Sequence, residues 1–150
     1  MINDSRFYSE LNKIFDANPT VDFIRTPRFA PVYNDNSYAA VQWWLGFARQ
    51  LFGDGFVDRS RETLLRKNEE YAGEDDRYSN FKLAATLAAC TAMTALNMFK
   101  LKHYVWFENF VKKGCKAPQE QAAEHIGDIF NYTVLGYIYQ TFIINHSKEI

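Results

Sequence analysis

The chain has 150 residues, 47% of them apolar and 17% aromatic, with 17 Lys and Arg against 18 Asp and Glu. That length fits one domain with a ring-filled core. A net charge of −1 excludes gripping nucleic acid by bulk charge, and the apolar content excludes an intrinsically disordered chain.

Helical periodicity dominates. Residues 4–17 put Phe7, Leu11, Ile14 and Phe15 on one stripe, which predicts a first helix. Pro19, Pro27 and Pro31 then mark residues 18–36 as an extended connection, in which Val21 to Ile24 make at most an unpartnered strand. Ser37 is placed to cap a second helix with Val41, Trp44, Leu45, Ala48, Leu51 and Phe52 on its inner face, and Gly53 ends it. Asp58 or Ser60 opens a third, expected to reach Gly73 with Leu64 and Leu65 inside. Ser79 is expected to cap a fourth, where Leu83, Ala84, Leu87 and Ala88 allow close backbone approach. A fifth, from about Thr91 to Lys113, is apolar on nearly every side, the pattern of a central helix. Pro118 suits the first turn of a sixth, predicted to end near His146. The expected fold is an all-α bundle of five to six helices, with residues 1–58 packed on a core formed by 59–150.

The polar opening, residues 1–6, is unlike a signal peptide, and the apolar tract at 132–144 is too short and too polar to span a bilayer. Cys90 and Cys115 have no zinc-type spacing. Cys90 sits among alanines as a small hydrophobe, and Cys115 follows Gly114 in a turn. The expectation is a soluble cytoplasmic protein that binds no membrane.

Six basic and six acidic residues lie between Arg59 and Lys82, half of that segment. Most of these read as a solvated face laced with pairs such as Glu62 and Arg66. The last helix is more specific. Glu124, Asp128 and Asn131 stand at i, i+4 and i+7 on one face, a spacing whose oxygen ligands suit a hard cation such as Mg²⁺. A water-facing polar stripe fits the same spacing. Glu70 on the third helix is placed to face that pair across the bundle if the two helices are neighbours, with Lys67 one turn before it. Lys100 and Lys102 fall on the apolar fifth helix, where a lysine needs a partner, either a carboxylate or a bound phosphate. His103, His125 and His146 form no zinc motif, and neither a P-loop nor a nucleophile elbow is present.

The run Lys67-Asn-Glu-Glu-Tyr71 followed by Asp75-Asp76-Arg77-Tyr78-Ser79-Asn80-Phe81, then Lys102-His103, then Glu124-His125-Ile126-Gly127-Asp128-Ile129-Phe130-Asn131-Tyr132, resembles the signature of a family of small phage and prophage proteins. The last helix is in turn similar to that of MazG-like all-α nucleoside triphosphate pyrophosphohydrolases, whose helical carboxylates hold Mg²⁺. The chain departs from that pattern at His125, where an acid stands in those enzymes, and at Gly73, which interrupts the first acidic run.

The resemblance implies a MazG-like core and a homo-oligomer. It also implies a site in which Glu70, Glu124 and Asp128, with Asp76 as a fourth metal ligand, hold Mg²⁺ and drive hydrolysis of a nucleotide to monophosphate and pyrophosphate. Lys67 and Lys102 would neutralise phosphate, Tyr71, Phe81 or Tyr132 would stack on the base, and Asn80 and Asn131 would orient ligand or water. The alternative is a non-catalytic helical protein that inhibits a host protein or sequesters a nucleotide, with Trp43 as an exposed anchor. A third reading makes the carboxylates and Lys102 a polar network that fixes helix register.

Overall fold

A computed structural model describes residues 4–15, 30–71 and 78–144, apart from the side chains of Asp4, Phe15, Asn68 and Tyr71. All regular structure among them is helical: α1 (Asp4–Phe15), α2 (Tyr38–Phe52), α3 (Gly55–Tyr71), α4 (Ser79–Ala88), α5 (Ala92–Lys112) and α6 (Gln119–Ile138), which runs on as a π-helical segment, Tyr139–Ile144. The described residues therefore form an all-α bundle of six helices. The expected strand at Val21–Ile24, the stop at Gly73, Asp76 and the end near His146 lie outside the described residues.

Several boundaries follow from single side chains. Ser37 caps α2 by accepting a hydrogen bond from the Ala40 N–H, and Gly53 (φ +77°) closes it by donating its own N–H to the Arg49 carbonyl. Thr91 caps α5 through the Thr94 N–H. Two starts differ from expectation. α3 begins at Gly55, ahead of Asp58, because a turn at Gly53 and Asp54 accepts from the Phe56 and Val57 N–H groups and leads straight into the helix. Tyr78, not Ser79, holds the N-cap position of α4 and makes no side-chain cap. Its hydroxyl instead donates to the Leu135 carbonyl at 2.8 Å, so a tertiary contact sets where α4 starts.

α6 is the central helix, with twelve of its twenty residues buried and with α5, α2, α3 and α1 packed around it. That role had been expected for α5, which buries one face through Ala95, Leu96, Lys100, His103, Phe107 and Phe110 while exposing Met98, Phe99 and Val105. α4 also turns a different side inward. Phe81 and Ala85 are buried, whereas Leu83 and Leu87 are 62% and 80% exposed, so the Leu83–Ala88 stretch is no close-approach face. Phe81 decides this, because its ring seats edge-on against Phe99 and Tyr132.

The N-terminal helices belong to the same core. Phe7, Leu11 and Ile14 of α1 join Val41, Trp44 and Phe47 of α2 in one buried cluster with α5 and α6. Trp44 meets Phe107 edge-on at 4.8 Å. Trp43, expected as a possible exposed anchor, is half-buried and lies flat on Phe47 at 5.1 Å and 15°. No single helix among the described residues is long and apolar enough to cross a membrane.

Candidate functional site

Ser60, Leu64 and Lys67 recur at i, i+4 and i+7 on α3 and meet the face of α6 that carries Gly127, Asp128 and Asn131. Two cavities open at this seam. The first, of about 370 Å³, is lined by Leu64, Lys67, Asn80, Phe81, Phe99, Asp128, Asn131, Tyr132 and Leu135. The second, of about 350 Å³, lies between α3 and α6 and brings Arg59, Arg66 and Lys67 beside Glu124, Asp128 and Asn131. Lys67, Asp128 and Asn131 belong to both. The first cavity is walled by rings, the second by cations.

Asp128, only 8% exposed, sits where the two meet. Its Oδ1 accepts from the Lys67 ammonium at 3.3 Å, and its Oδ2 lies 3.4 Å from His103 Nε2. His103 Nδ1 is in turn 3.0 Å from His125 Nδ1. One tautomer satisfies the whole chain: a neutral His103 gives its Nε2 proton to Asp128, its bare Nδ1 accepts, and His125 donates from Nδ1. Burial lowers the His103 pKa below the ordinary histidine value, outweighing the opposing pull of Asp128, with His125, Lys102 and Lys67 adding to the depression. Neutral His103 is thus the consistent state. The His125 ring lies flat against Trp106 at 4.6 Å, which fixes its plane.

Rings form the far wall of the first cavity. Phe99 and Tyr132 are near-parallel (6.4 Å, 13°), and Phe81 stands edge-on to both. His103 lies over the Tyr132 ring at 6.2 Å and 26°, joining this wall to the Asp128 chain. Asn131, also 8% exposed, donates its Nδ2 to the Ser60 carbonyl at 3.3 Å, while its Oδ1 is buried without a hydrogen-bond partner among the described residues. The carbonyl of Ser60 fixes the amide's orientation, since the flipped form would set two acceptors against each other.

Of the residues singled out from sequence, Lys67, Asn80, Asp128, Asn131 and Tyr132 line the first cavity together. Glu124 lines the second, exposed at its edge. Glu70 and Lys102 are exposed and line neither cavity. The side chain of Tyr71 and all of Asp76 lie outside the described residues. Asp128 and Asn131 are buried while Glu124 is exposed, so the α6 stripe faces water only at its Glu124 end.

Among the described residues no three His, Cys, Asp or Glu side chains converge as a metal site would require. Among the described residues the hydrogen-bond partners of Lys100 are an amide and a hydroxyl, not a carboxylate. It donates to Asn36 Oδ1 at 2.6 Å and to Thr133 Oγ1 at 3.2 Å, fully buried.

Sequence reasoning set aside the histidines, read Arg66 as part of a solvated face paired with Glu62, and overlooked Arg59 and Phe99. A usable signal did exist: His125 and Asp128 are one turn apart on α6, and Phe99 and His103 one turn apart on α5. What linear order lacks is the pairing of those two helices.

Compared with known proteins, the chain matches no family, no curated protein and no solved structure.

Proposed function

We propose that the paired cavities bind a nucleotide, with the base against Phe81, Phe99 and Tyr132 and the phosphates beside Arg59, Arg66 and Lys67. One observation carries this reading: an aromatic cavity and a cationic one share Lys67, Asp128 and Asn131, so a single ligand with a planar apolar end and an anionic end spans both. Ring stacking supplies sequence-tolerant affinity of about 1–3 kcal/mol per base, and guanidinium groups match phosphate oxygens bidentately.

Binding without turnover is the form of this reading that the donor chemistry favours. Both Asp128 oxygens already face cationic or N–H partners, and among the described residues Glu124 is the one further carboxylate lining the second cavity. Those two carboxylates fall short of the donor set for Mg²⁺ that the MazG-like resemblance implies. The protein would then act by sequestering a nucleotide.

Mg²⁺-dependent pyrophosphohydrolysis is the second reading, favoured by Glu124 and Asp128 lining one cavity with three cationic side chains. Calorimetry with nucleoside triphosphates, run with EDTA and with Mg²⁺ alongside a pyrophosphate-release assay, separates the two. Sequestration predicts metal-independent binding and no pyrophosphate. Release of pyrophosphate that Asp128→Ala abolishes would replace it with hydrolysis, and absence of binding to any triphosphate would end both.

A further inference from the structure

Gly127 leaves α6 without a side chain where the cationic cavity runs between α3 and α6. A glycine in mid-helix weakens the helix relative to alanine, so its place there needs a reason. Close packing is not that reason. A Cβ at position 127 would lie 3.6 Å from the Phe56 ring and from Ser60 Oγ, which is ordinary van der Waals contact. At Gly136, the other glycine of this helix, the Asn36 amide leaves no such room. Phe56, Ser60 and Gly127 all line the second cavity, so the absent methyl leaves bare backbone on its wall.

The seam also has a direction. Tyr132 and Leu135 line only the ring-walled cavity, Lys67 and Asp128 belong to both, and Arg59 and Gly127 line only the cationic one. Arg59 and Lys67 are eight residues apart on α3, about 12 Å along its axis. One phosphate group cannot bridge that distance, whereas linked phosphates held by two long side chains can. Arg59, Arg66 and Lys67 against Glu124 and Asp128 leave the cavity one net positive charge. Lys67 is already paired with Asp128, but among the described residues neither Arg59 nor Arg66 has an ion-pair partner.

Resting on the nucleotide reading above, we infer that the phosphate chain passes over the bare backbone at Gly127 and ends at Arg59, so that the site reads the length of that chain. Gly127 and Arg59 are on this view the specificity-determining residues. Gly127 admits the chain, and Arg59 holds its far end. A monophosphate reaches only the Lys67 end of the seam.

The test is calorimetry in EDTA on the intact protein with adenosine mono-, di- and triphosphate. Affinity should rise along that series, by about tenfold or more from first to last. Gly127→Ala should remove most of that gain and leave monophosphate affinity unchanged. Its urea midpoint should be no lower than that of the unaltered protein, because the methyl fits and alanine favours helix. Arg59→Met should bring the triphosphate close to the diphosphate. A lowered midpoint for Gly127→Ala, or equal weakening of all three nucleotides, would assign Gly127 a packing role and overturn the inference. Equal affinities along the series for the unaltered protein would overturn it while leaving nucleotide binding intact. If none of the three binds, the nucleotide reading itself has failed and the reading of chain length goes with it.

Discussion

Asn36 presses against the backbone of Gly136 so closely that a Cβ at position 136 would lie 2.6 Å from the Asn36 Cγ. The Asn36 amide has nowhere to withdraw. Its Nδ2 donates to Asn97 Oδ1 at 2.9 Å, and its Oδ1 accepts from Lys100 at 2.6 Å. The residue ahead of the α2 cap is thereby clipped to α5 and seated on α6 at once. Gly136→Ala should destabilise the fold by about 1–3 kcal/mol, the usual cost of forcing an extra methyl into a packed contact. Urea unfolding checks this, and an unchanged midpoint would show that the Asn36 clip yields easily.

The same network predicts a pH dependence. Burial lowers the Lys100 pKa from 10.5 to about 7, only partly offset by Asp35. Between those values the unfolded chain holds a proton that the folded chain has given up. Stability should therefore rise with pH across that window, by at most about 1.4 kcal/mol per pH unit, and be lost as pH falls through 7. Lys100→Met removes the titrating amine, so its stability should rise less steeply between pH 7 and 9 than that of the unaltered protein. Parallel profiles from urea titrations at pH 7, 8 and 9 would show that the buried amine keeps its proton.

The α4–α5 junction is closed by a residue ill suited to it. Ala89 adopts a left-handed conformation (φ 55°, ψ 46°), with its own N–H and that of Cys90 reaching back to the Thr86 and Ala85 carbonyls. Helix ends of this shape normally carry glycine, because a Cβ there costs about 1–2 kcal/mol. Ala89→Gly relieves that strain but frees the unfolded chain, for a net gain of about 0.5–1 kcal/mol. A calorimetric melting temperature higher by about 1–4 °C is the expected readout.

Helix ends were legible wherever one side chain decides them. Ser37, Gly53 and Thr91 act through local hydrogen bonds that a reader of the chain can anticipate, and the stripe Phe7, Leu11 and Ile14 packs inward as its spacing requires. Positions decided by a distant partner were not legible. Tyr78 starts α4 because Leu135 accepts its hydroxyl, and Phe81 sets the inner face of α4 because Phe99 and Tyr132 receive its ring.

The candidate site divides in the same way. Asp128 and Asn131 stood out by their spacing on one helix, yet the partners that define their chemistry, Lys67, His103 and Ser60, come from two other helices. Lys100 illustrates the converse: a buried lysine signals that a partner exists, but its amide partner lies 64 residues away.

The charge on Asp128 separates binding from hydrolysis most sharply. Asp128→Asn keeps the side chain's shape while removing one negative charge from the junction of the two cavities. His103 then loses the carboxylate that opposes its desolvation, so its pKa should fall further, which an NMR titration of the imidazole would detect. Lys67, half-exposed, loses its anionic partner and becomes available to phosphate. Under sequestration, nucleotide affinity in EDTA should therefore rise several-fold at low ionic strength, with the gain shrinking as salt screens it. Under Mg²⁺-dependent hydrolysis the same substitution removes a metal ligand and stops turnover. Affinity that stays level or drops without metal would mean that Asp128 is not the charge limiting phosphate binding here.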